Sequence, residues 1–421
     1  MIFKEETKSI PITKMMVWEA YKQVKRNKGA AGVDAVSLEA FDQDRSKLLY
    51  KLWNRLASGA YFPQHVRRVE IPKGDGKTRP LGIPAVSDRI AQQVVKNYLE
   101  PRLEQQFLDC SYGYRPARSA HQAIQEVRKH VLRNAWVIDL DVQSFFEDVD
   151  HALLYRALEK HVQEKWVMLY IKRWLETPIQ LNDGSIILKE GKGTPQGGVI
   201  SPLLANLYLH YTMDKWMQIH HPAVKLVRYA DDMIIHCHSQ RQAEFLLSEI
   251  RERFKACGLK LHPEKTKIVY CKKDGRGLNY NKVQFDFLSF SFRPMSKKLK
   301  RGGHFLQFDC TVSRKAKLRM INQIRALRIR RKTGGTIQQI AQSLNDTIRG
   351  WVNYYGKVRL KGLSPVFYYL HQRLMSWAMN KFKNLKGSRR KAANLLKRIA
   401  NDYPNLFYHW PLGYSFLWRS V

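Results

Sequence analysis

Apolar and polar positions follow helical and strand-like spacing in alternation along the first two thirds of the chain. Residues 13 to 26 and 37 to 57 repeat apolar residues at three- and four-residue intervals, which predicts helices. The stretch VRRVEIPKGDGKTRPLGIP, residues 66 to 84, has alternating apolar residues around a glycine-rich centre and predicts a hairpin. Ser87 then predicts the cap of a helix. Beyond residue 313 the pattern is almost wholly helical, with repeated Lys and Arg faces.

Two short apolar stretches carry carboxylates. WVIDLDV, residues 136 to 142, has the composition of a buried strand. LVRYADDMIIH, residues 226 to 236, predicts two short strands joined by a tight turn at the paired aspartates. In the segment that begins at residue 193, Ser201 predicts a helix cap with Pro202 at the first helical position.

Composition adds a strong charge. The chain has 421 residues, enough for roughly two to four domains, and a net charge of +37. So basic a protein repels itself unless it binds a polyanion, which makes nucleic acid the leading partner and an anionic membrane a distant second. No apolar run reaches the roughly 20 residues of a membrane span, and no signal or transit peptide is recognisable. The five cysteines form no CxxC pair and predict reduced, mostly buried thiols.

The charge is concentrated near the C-terminus. From Ser289 to Val421 there are 28 Lys and Arg against three Asp and Glu, which gives this third +25 of the total. The earlier residues hold most of the acids. The chain therefore divides into a mixed-charge body and a basic C-terminal third, with the polar stretch 293 to 304 as the nearest thing to a boundary.

The acidic residues form two clusters. In a strand, side chains alternate between faces, so Asp139 and Asp141 point to one side. Asp231 and Asp232 form the second cluster. Taken singly, each cluster fits ordinary use of Asp in turns and at strand ends. Taken together in a basic chain, the clusters can share divalent cations, and two such ions about 4 Å apart can activate a hydroxyl and stabilise a leaving oxygen in phosphoryl transfer. An all-oxygen site suits Mg²⁺.

Five blocks resemble, in order, those of the bacterial group II intron reverse transcriptases, also called intron-encoded maturases. The likeness covers nearly the whole chain. The blocks are the 66 to 84 hairpin, SYGYRPARSAHQAI (111 to 124), DLDVQSFFEDVDH (139 to 151), GTPQGGVISPLLANLYL (193 to 209) and RYADDM (228 to 233). The resemblance implies an α+β right-hand polymerase, with fingers and a palm built on an antiparallel sheet, followed by an α-helical thumb or maturase domain.

Carried over to this chain, the resemblance assigns catalysis and metal binding to Asp141, Asp231 and Asp232, with two Mg²⁺ ions for which Mn²⁺ can substitute. Asp231 is expected to touch both ions, and Asp139 is expected to be structural. The implied nucleotide-binding residues are Lys73, Arg79, Phe146, Gln196 and Lys265. Among them Lys73 and Arg79 would grip the triphosphate, Phe146 would exclude a ribose 2′-hydroxyl, and Lys265 would protonate pyrophosphate; by composition alone Phe145 and Phe146 could both be core.

The chain departs from the family at two positions. His262 stands where the family usually has Asn, and Ser289 stands where it normally has Gly in the loop that grips the primer end. Either the backbone at Ser289 avoids positive φ or the grip is altered. The implied primer-grip residues are Phe287, Leu288, Ser289 and Phe290.

Aromatic and basic residues are mixed in the segments 344 to 360 and 382 to 410, a combination that can stack on bases and neutralise phosphates. About half of these aromatics are expected to be helix core instead. The nucleic-acid-binding candidates are Arg349, Lys357, Arg359, Arg389, Arg390 and Lys391.

The implied domains are fingers with an N-terminal segment (1–136), palm with interspersed fingers elements (137–292), thumb (293–385) and a basic DNA-binding region (386–421), with no endonuclease domain. The implied function is RNA-directed DNA synthesis by two-metal nucleotidyl transfer, with binding of the parent intron RNA to promote splicing and mobility. The implied partners are this RNA, an RNA template with DNA primer or target DNA, and dNTPs, and the implied location is a bacterial cytoplasm at the nucleoid. Two alternatives stay open: a splicing-only maturase, and a domesticated reverse transcriptase of phage defence or CRISPR adaptation.

Overall fold

The structure, a computed structural model, describes residues 10–73, 77–299 and 302–414, without the side chains of Lys73 and Lys77. It contains two compact units. The first comprises the chain up to His130 and from Asn134 to Ile268, and the second comprises Val131–Arg133 and the chain from Val269. Both units contain helices and sheets, so the predicted α+β class is confirmed. Within the described ranges no helix is both long and apolar enough to cross a bilayer.

The first unit is built around two four-stranded sheets. Its helices are α1 (Lys14–Asn27), α2 (Leu38–Gln43), α3 (Arg45–Ala57), α4 (Val86–Glu104), α5 (Ala120–Arg133, whose last turn belongs to the second unit), α6 (Phe145–Asp148), α7 (His151–Glu159), α8 (Lys165–Glu176), α9 (Ser201–Leu209), α10 (Lys215–His220) and α11 (Gln240–Ala256). Its strands are β1 (Val66–Lys73), β2 (Lys77–Ile83), β3 (Trp136–Leu140), β4 (Val142–Gln143), β5 (Ile179–Gln180), β6 (Ile186–Ile187), β7 (Lys225–Tyr229), β8 (Asp232–Cys237), β9 (Lys260–Leu261) and β10 (Lys267–Tyr270), which ends in the second unit.

One sheet has the order β2-β1-β5-β6 and contains the predicted hairpin, in which β1 and β2 pair antiparallel from Arg67 opposite Ile83 to Lys73 opposite Lys77. The other has the order β10-β3-β8-β7, and its strands β3 and β8 carry apolar side chains that are almost fully buried. A two-stranded sheet, β4 with β9, extends the path of β3 beyond Asp141. The carboxylate-bearing stretches therefore meet in one sheet system.

Two predicted helix caps are wrong. Helix α4 begins at Val86, after Ala85 and without a side-chain cap, so Ser87 lies inside its first turn. Helix α9 begins at Ser201 itself, whose hydroxyl accepts a 2.9 Å hydrogen bond from Thr194 Oγ1 instead of capping the helix. In both places tertiary packing, which the local sequence does not show, moves the helix start toward the N-terminus, by two residues at α4 and by one residue at α9.

The second unit combines an antiparallel sheet with helices. Strands β11 (Phe285–Phe287), β12 (Phe290–Lys298) and β13 (His304–Val312) form the sheet in that order. The helices are α12 (Arg314–Ala326), α13 (Ile337–Trp351), α14 (Lys357–Arg359), α15 (Ser364–Lys381) and α16 (Arg389–Asp402), and π-helical turns occur at Val352–Gly356 and Trp410–Tyr414. The predicted helical pattern beyond residue 313 is confirmed.

A buried histidine pair joins α15 to the Trp410–Tyr414 turn. The Nε2 atoms of His371 and His409 lie 3.1 Å apart, and the His409 ring stacks on Phe367. Burial lowers the pKa of His371 to about 4, and burial together with His371 holds the pKa of His409 well below its usual value. The folded protein therefore favours neutral rings.

Acid is expected to destabilise the second unit through this pair. Because both pKa values are lower in the folded state, the stabilisation is complete above the unfolded pKa of roughly 6.5 and is lost as pH falls toward 4. Urea unfolding followed by tryptophan fluorescence should show this loss in wild type and a smaller one in His371→Phe/His409→Leu. The exposed His304→Gln serves as control. Equal acid sensitivity of wild type and the double variant would contradict the assignment.

Candidate active site

The paired aspartates lie at a two-residue turn. Tyr229 pairs with Asp232 at the end of the β7–β8 ladder, so the predicted tight turn consists of Ala230 and Asp231, and Asp232 begins β8. Ala230 has φ of 56°, in the left-handed region that favours glycine. Gly113 packs directly against this turn, since a Cβ at position 113 would lie 2.4 Å from the Ala230 nitrogen. The turn thus has no room for a larger neighbour.

A fully buried ion pair supports the turn from below. The Arg228 guanidinium donates from Nε to Asp214 Oδ1 at 2.7 Å and from Nη2 to the other oxygen of the same carboxylate. Its Nη1 donates to Asn206 Oδ1 at 2.9 Å and to the Ala230 carbonyl at 3.1 Å. Burial alone would lower the pKa of Arg228, but the Asp214 carboxylate raises it above its usual value. A charged clamp therefore holds the carbonyl that immediately precedes Asp231.

The ion pair of Arg228 with Asp214 was not predicted from the sequence. Its signal was an arginine in an otherwise apolar buried strand, because a charge in that place needs a partner. The partner could not be named from spacing. Asp214 lies in the π-helical turn His210–Asp214 that follows α9, and the amide of Asn206 both binds Arg228 and donates to the Gly113 carbonyl at 2.7 Å.

Asp141 lies at the break between β3 and β4. Its carbonyl accepts hydrogen bonds from the His262 backbone N–H at 2.8 Å and from Thr266 Oγ1 at 3.2 Å. The Lys265 ammonium lies 3.5 Å from Asp141 Oδ1. The loop after β9 therefore fixes the backbone of Asp141 and sets a cation against its carboxylate.

The three predicted catalytic carboxylates lie in one electrostatic cluster. Asp232 is exposed as a residue, but desolvation within the cluster raises the pKa of its carboxyl to about 7, with the charges of Asp231 and Asp141 adding to the shift. Desolvation also raises the pKa of Asp231, and the neighbouring Asp141 adds to it. Lys265 and Arg79 oppose the rise at Asp232. Ionising several neighbouring carboxylates together costs free energy, so a bound cation would stabilise the ionised form of this cluster.

The donor set fits the magnesium ions that the resemblance implies. All candidate donors are carboxylate oxygens, and Mg²⁺ is usually held by one or two carboxylates together with waters and substrate phosphates. Among the residues that the structure describes, no group of three or more His, Cys, Asp or Glu side chains is already arranged as a cation site. The Lys265 ammonium occupies one side of Asp141 instead.

Asp139 has a different environment. Its carboxylate lies 3.5 Å from the Lys267 ammonium on the neighbouring strand β10. Burial raises the pKa of Asp139 to about 7, Lys267 opposes that rise, and the more distant Asp232 and Asp141 add to it. Asp139 therefore forms an ion pair with Lys267.

The glycine-rich loop before α9 contacts the β1–β2 hairpin. Arg79 Nε donates to Gln196 Oε1 at 2.8 Å, and the Gly82 N–H donates to the Gln196 carbonyl at 2.6 Å. Gly197 has φ of 112°, and a Cβ there would lie 2.3 Å from the Gly82 carbonyl oxygen, so only glycine permits the approach. Arg79 and Gln196 are thus brought together, whereas the side chain of Lys73 lies outside the described part of the chain.

Phe146 lies on the short helix α6. Only 7% of it is exposed, and its ring meets that of Phe145 edge-on with centroids 5.3 Å apart. It nevertheless lines a cavity of about 310 Å³ together with Thr194, Pro195 and Gln196. Phe146 is therefore both packed and positioned at a site next to the glycine-rich loop.

In the second unit, the predicted primer-grip residues form the turn between β11 and β12. Phe287 pairs with Phe290, and Leu288 and Ser289 have φ of 48° and 68°. The backbone at Ser289 therefore does not avoid positive φ. The turn is held by Tyr354 Oη, which donates to the Leu288 carbonyl, and by Arg319 Nη2, which donates to Ser289 Oγ, both at 3.0 Å.

The basic candidates of the second unit lie mostly at its surface. Arg349, Lys357 and the triplet Arg389, Arg390 and Lys391 are exposed, whereas Arg359 is half-buried with its guanidinium 3.7 Å from Asp309. Of the nearby aromatics Trp351 and Tyr355 are buried, so they are core. This division matches the expectation that part of the aromatic set serves packing.

Comparisons with known proteins agree with this geometry. Residues 71–309 match the reverse transcriptase (RNA-dependent DNA polymerase) family, and residues 317–396 match the group II intron maturase-specific domain. The chain is 35% identical to the protein YkfC of Escherichia coli over 291 residues, which cover 60% of this chain and 76% of that protein. It is 35% identical over 201 residues, 47% of this chain, to the group II intron-encoded protein LtrA of Lactococcus lactis, of which the match spans a third.

A longer match reaches a fungal protein. The uncharacterized 91 kDa protein in a cob intron of Schizosaccharomyces pombe is 25% identical over 423 residues, 83% of this chain and half of that protein. The reverse transcriptase match alone covers more than half of the chain, and the maturase-specific domain follows it directly. The chain belongs to the family of group II intron-encoded reverse transcriptases and maturases.

Proposed function

We propose that the protein is an RNA-directed DNA polymerase that also binds a group II intron RNA and promotes its splicing and mobility. The observation that carries the proposal is the cluster formed by Asp231 and Asp232 at the β7–β8 turn and Asp141 at the end of β3, with Arg79 and Lys265 within electrostatic range. Three acids bounded by two cations suit attack of a primer hydroxyl on the α-phosphorus of a nucleoside triphosphate, with pyrophosphate as the leaving group.

Each residue has a role in this proposal. Asp141 and Asp231 hold the two cations with Asp232 in support; Mg²⁺, or Mn²⁺ in its place, would supply charge stabilisation and an activated primer hydroxyl when bound. Arg79, oriented by Gln196, grips the triphosphate with its planar guanidinium, and Lys73 is proposed to assist. Lys265 donates a proton to the pyrophosphate that leaves.

Sugar selection is assigned to Phe146. Its ring is packed by Phe145 and cannot withdraw readily, so a ribose 2′-hydroxyl beside it would meet carbon at van der Waals distance. The neighbouring cavity, which Gln196 also lines, supports a place for the incoming nucleotide. Deoxynucleotides are the proposed substrates.

The second unit is proposed to hold the primer end and RNA. The Phe287–Phe290 turn is the proposed primer grip, and the exposed cations are the proposed RNA and DNA contacts. Arg389, Arg390 and Lys391 occupy the first turn of α16, where the helix dipole disfavours positive charge. Phosphate binding would relieve that repulsion, which supports a nucleic-acid role for this turn.

The finer domain boundaries remain part of the proposal: fingers to residue 136, palm to 292, thumb to 385 and a basic DNA-binding region beyond. Nucleic-acid substrates and bacterial relatives support action at the nucleoid in a bacterial cytoplasm.

The test is primer extension on an RNA template by the purified chain with Mg²⁺. Extension is expected with dNTPs and not with ribonucleotides, and chelation of the cation should stop it. RNA binding measured in the same preparation provides the comparison. Binding without any incorporation of dNTPs would overturn the polymerase proposal and leave the splicing-only alternative.

A further inference from the structure

A basic recess of about 510 Å³ lies beside β9, where the chain leaves helix α11. Four cationic side chains line it, and none of the described residues in its wall is Asp or Glu. The cations are Lys192, Arg251, Lys255 and Lys260. None of the three clustered carboxylates, Asp141, Asp231 and Asp232, lines this recess.

The four cations have no ion pair or hydrogen bond to a side chain or carbonyl in the described part of the protein. This sets them apart from their neighbours. Arg253, between two of them on α11, donates to the carbonyls of Thr212 and Tyr211 at 3.0 and 2.9 Å. Arg251 and Lys255 are four positions apart on one helix face, an arrangement of like charges that destabilises a helix unless an anion lies between them.

A buried ring nitrogen adds to the recess. His262 lines it, and its Nδ1 atom is buried without a hydrogen-bond partner among the described residues. A buried polar atom in that state costs free energy until it is satisfied. Asp150 lies behind the wall, since its Cβ would lie 3.8 Å from a Cβ on Gly258, and its carboxylate already accepts a hydrogen bond from the Leu153 N–H at 3.0 Å.

We propose that this recess binds phosphate groups. Four cations and an imidazole nitrogen that can carry a proton suit an anion with several oxygens and more than one negative charge, and the guanidinium of Arg251 suits two of those oxygens at once. On the basis of the proposed function, the phosphate is either the pyrophosphate that polymerisation releases or a phosphodiester of the bound strand. Both sources present negatively charged phosphate oxygens to the recess.

Anion binding in the recess would affect the active site through the backbone that leads to Asp141. The loop that carries His262 donates a hydrogen bond to the Asp141 carbonyl, and β9 pairs with β4 immediately after Asp141. An anion that fixes this loop would therefore also fix the backbone of Asp141.

Inorganic pyrophosphate without metal is the probe, titrated calorimetrically into the full-length chain. Arg251→Gln/Lys255→Gln should weaken its binding about tenfold or more. The matched control is Lys47→Gln/Lys51→Gln, which removes the same charge at the same spacing from the exposed face of α3 and should bind as wild type. His262→Asn, which introduces the residue usual in the family, should weaken binding by a smaller factor. Thermal unfolding verifies that each variant is folded.

A second measurement separates the two sources of phosphate. The salt dependence of single-stranded RNA binding should lose a slope of about 1.4 in Arg251→Gln/Lys255→Gln if two phosphodiester contacts are removed. Loss of pyrophosphate binding with an unchanged slope identifies pyrophosphate, and the reverse identifies the strand. Wild-type behaviour in both measurements, or equal losses in the matched control, would overturn the proposal. Neither measurement requires DNA synthesis, so failure of the proposed polymerase activity would be seen separately.

Discussion

Replacing Asp231 by asparagine is expected to reduce DNA synthesis on an RNA template by about a thousandfold or more, roughly 4 kcal/mol in the barrier. Asparagine preserves the size of the side chain and removes the charge that the proposed cations require. Asp231 also lies in the turn held by Arg228 and Gly113, so the backbone of the variant should keep its position. Removing one of several crowded carboxylates should leave the fold intact or slightly more stable, because the pKa of Asp231 is raised by its surroundings.

The measurement is primer extension over a range of Mg²⁺ concentrations, with RNA binding measured in parallel. Asp44→Asn is the control, since Asp44 is exposed and makes no side-chain cap bond at the start of α3. We expect wild-type RNA binding in both variants and loss of extension in Asp231→Asn alone. Synthesis by Asp231→Asn within tenfold of wild type would remove Asp231 from the site.

Replacing Arg228 by methionine is expected to destabilise the first unit by about 3–5 kcal/mol, the usual effect of leaving one member of a buried ion pair behind. Asp214 would keep its buried charge without the bidentate partner, and the Ala230 carbonyl would lose its donor. Because that carbonyl precedes Asp231, the variant should also lose activity under conditions where it remains folded.

Urea unfolding of Arg228→Met, Asp214→Leu and the double variant forms a cycle that separates the two effects. The double variant should recover much of the stability, since no buried charge remains, but little of the activity, since the donor to Ala230 is still absent. Recovery of wild-type extension in the double variant would contradict a positioning role for Arg228. Losses in the single variants that simply add would contradict the coupling.

The carboxylate hairpin was predictable because its signal is local. Apolar residues on both sides of Asp231 and Asp232 are typical of two paired strands, and the paired aspartates mark the tight turn between them. The apolar stripe of Leu203, Leu204, Leu207 and Tyr211 is local in the same way: its helical spacing predicts a core-facing side, and the three leucines are buried whereas Tyr211 is half-buried.

The supports of the site were not predictable because their partners are distant in sequence. Arg228 needed Asp214, which reaches it only through a π-helical turn, and Asp141 needed the Thr266 hydroxyl and the His262 N–H. Periodicity reports which face of an element is buried and contains no information on which charges meet there. The same limit applies to Asp139 and Lys267, which meet across neighbouring strands.

Backbone strain was also beyond the sequence. Leu288 and Ser289 both adopt positive φ, a conformation that costs non-glycine residues roughly 1–2 kcal/mol each, and propensity alone would place glycine there. The hydrogen bonds from Tyr354 and Arg319 to this turn help to offset the cost. The departure from the family at Ser289 therefore changes the side chain in the turn and leaves positive φ in place.

In the proposed function, the acids at the β7–β8 turn and at the end of β3 hold the cations for DNA synthesis. Asp139, in β3, and Asp141, directly after this strand, provide the most direct test. Asp139 and Asp141 are two positions apart and each has a lysine ammonium at 3.5 Å, but the charge of Asp141 acts on both Asp231 and Asp232. Mg²⁺-dependent primer extension on an RNA template should be abolished in Asp141→Asn and retained within about tenfold in Asp139→Asn. Extension retained by Asp141→Asn, or lost only in Asp139→Asn, would contradict the account.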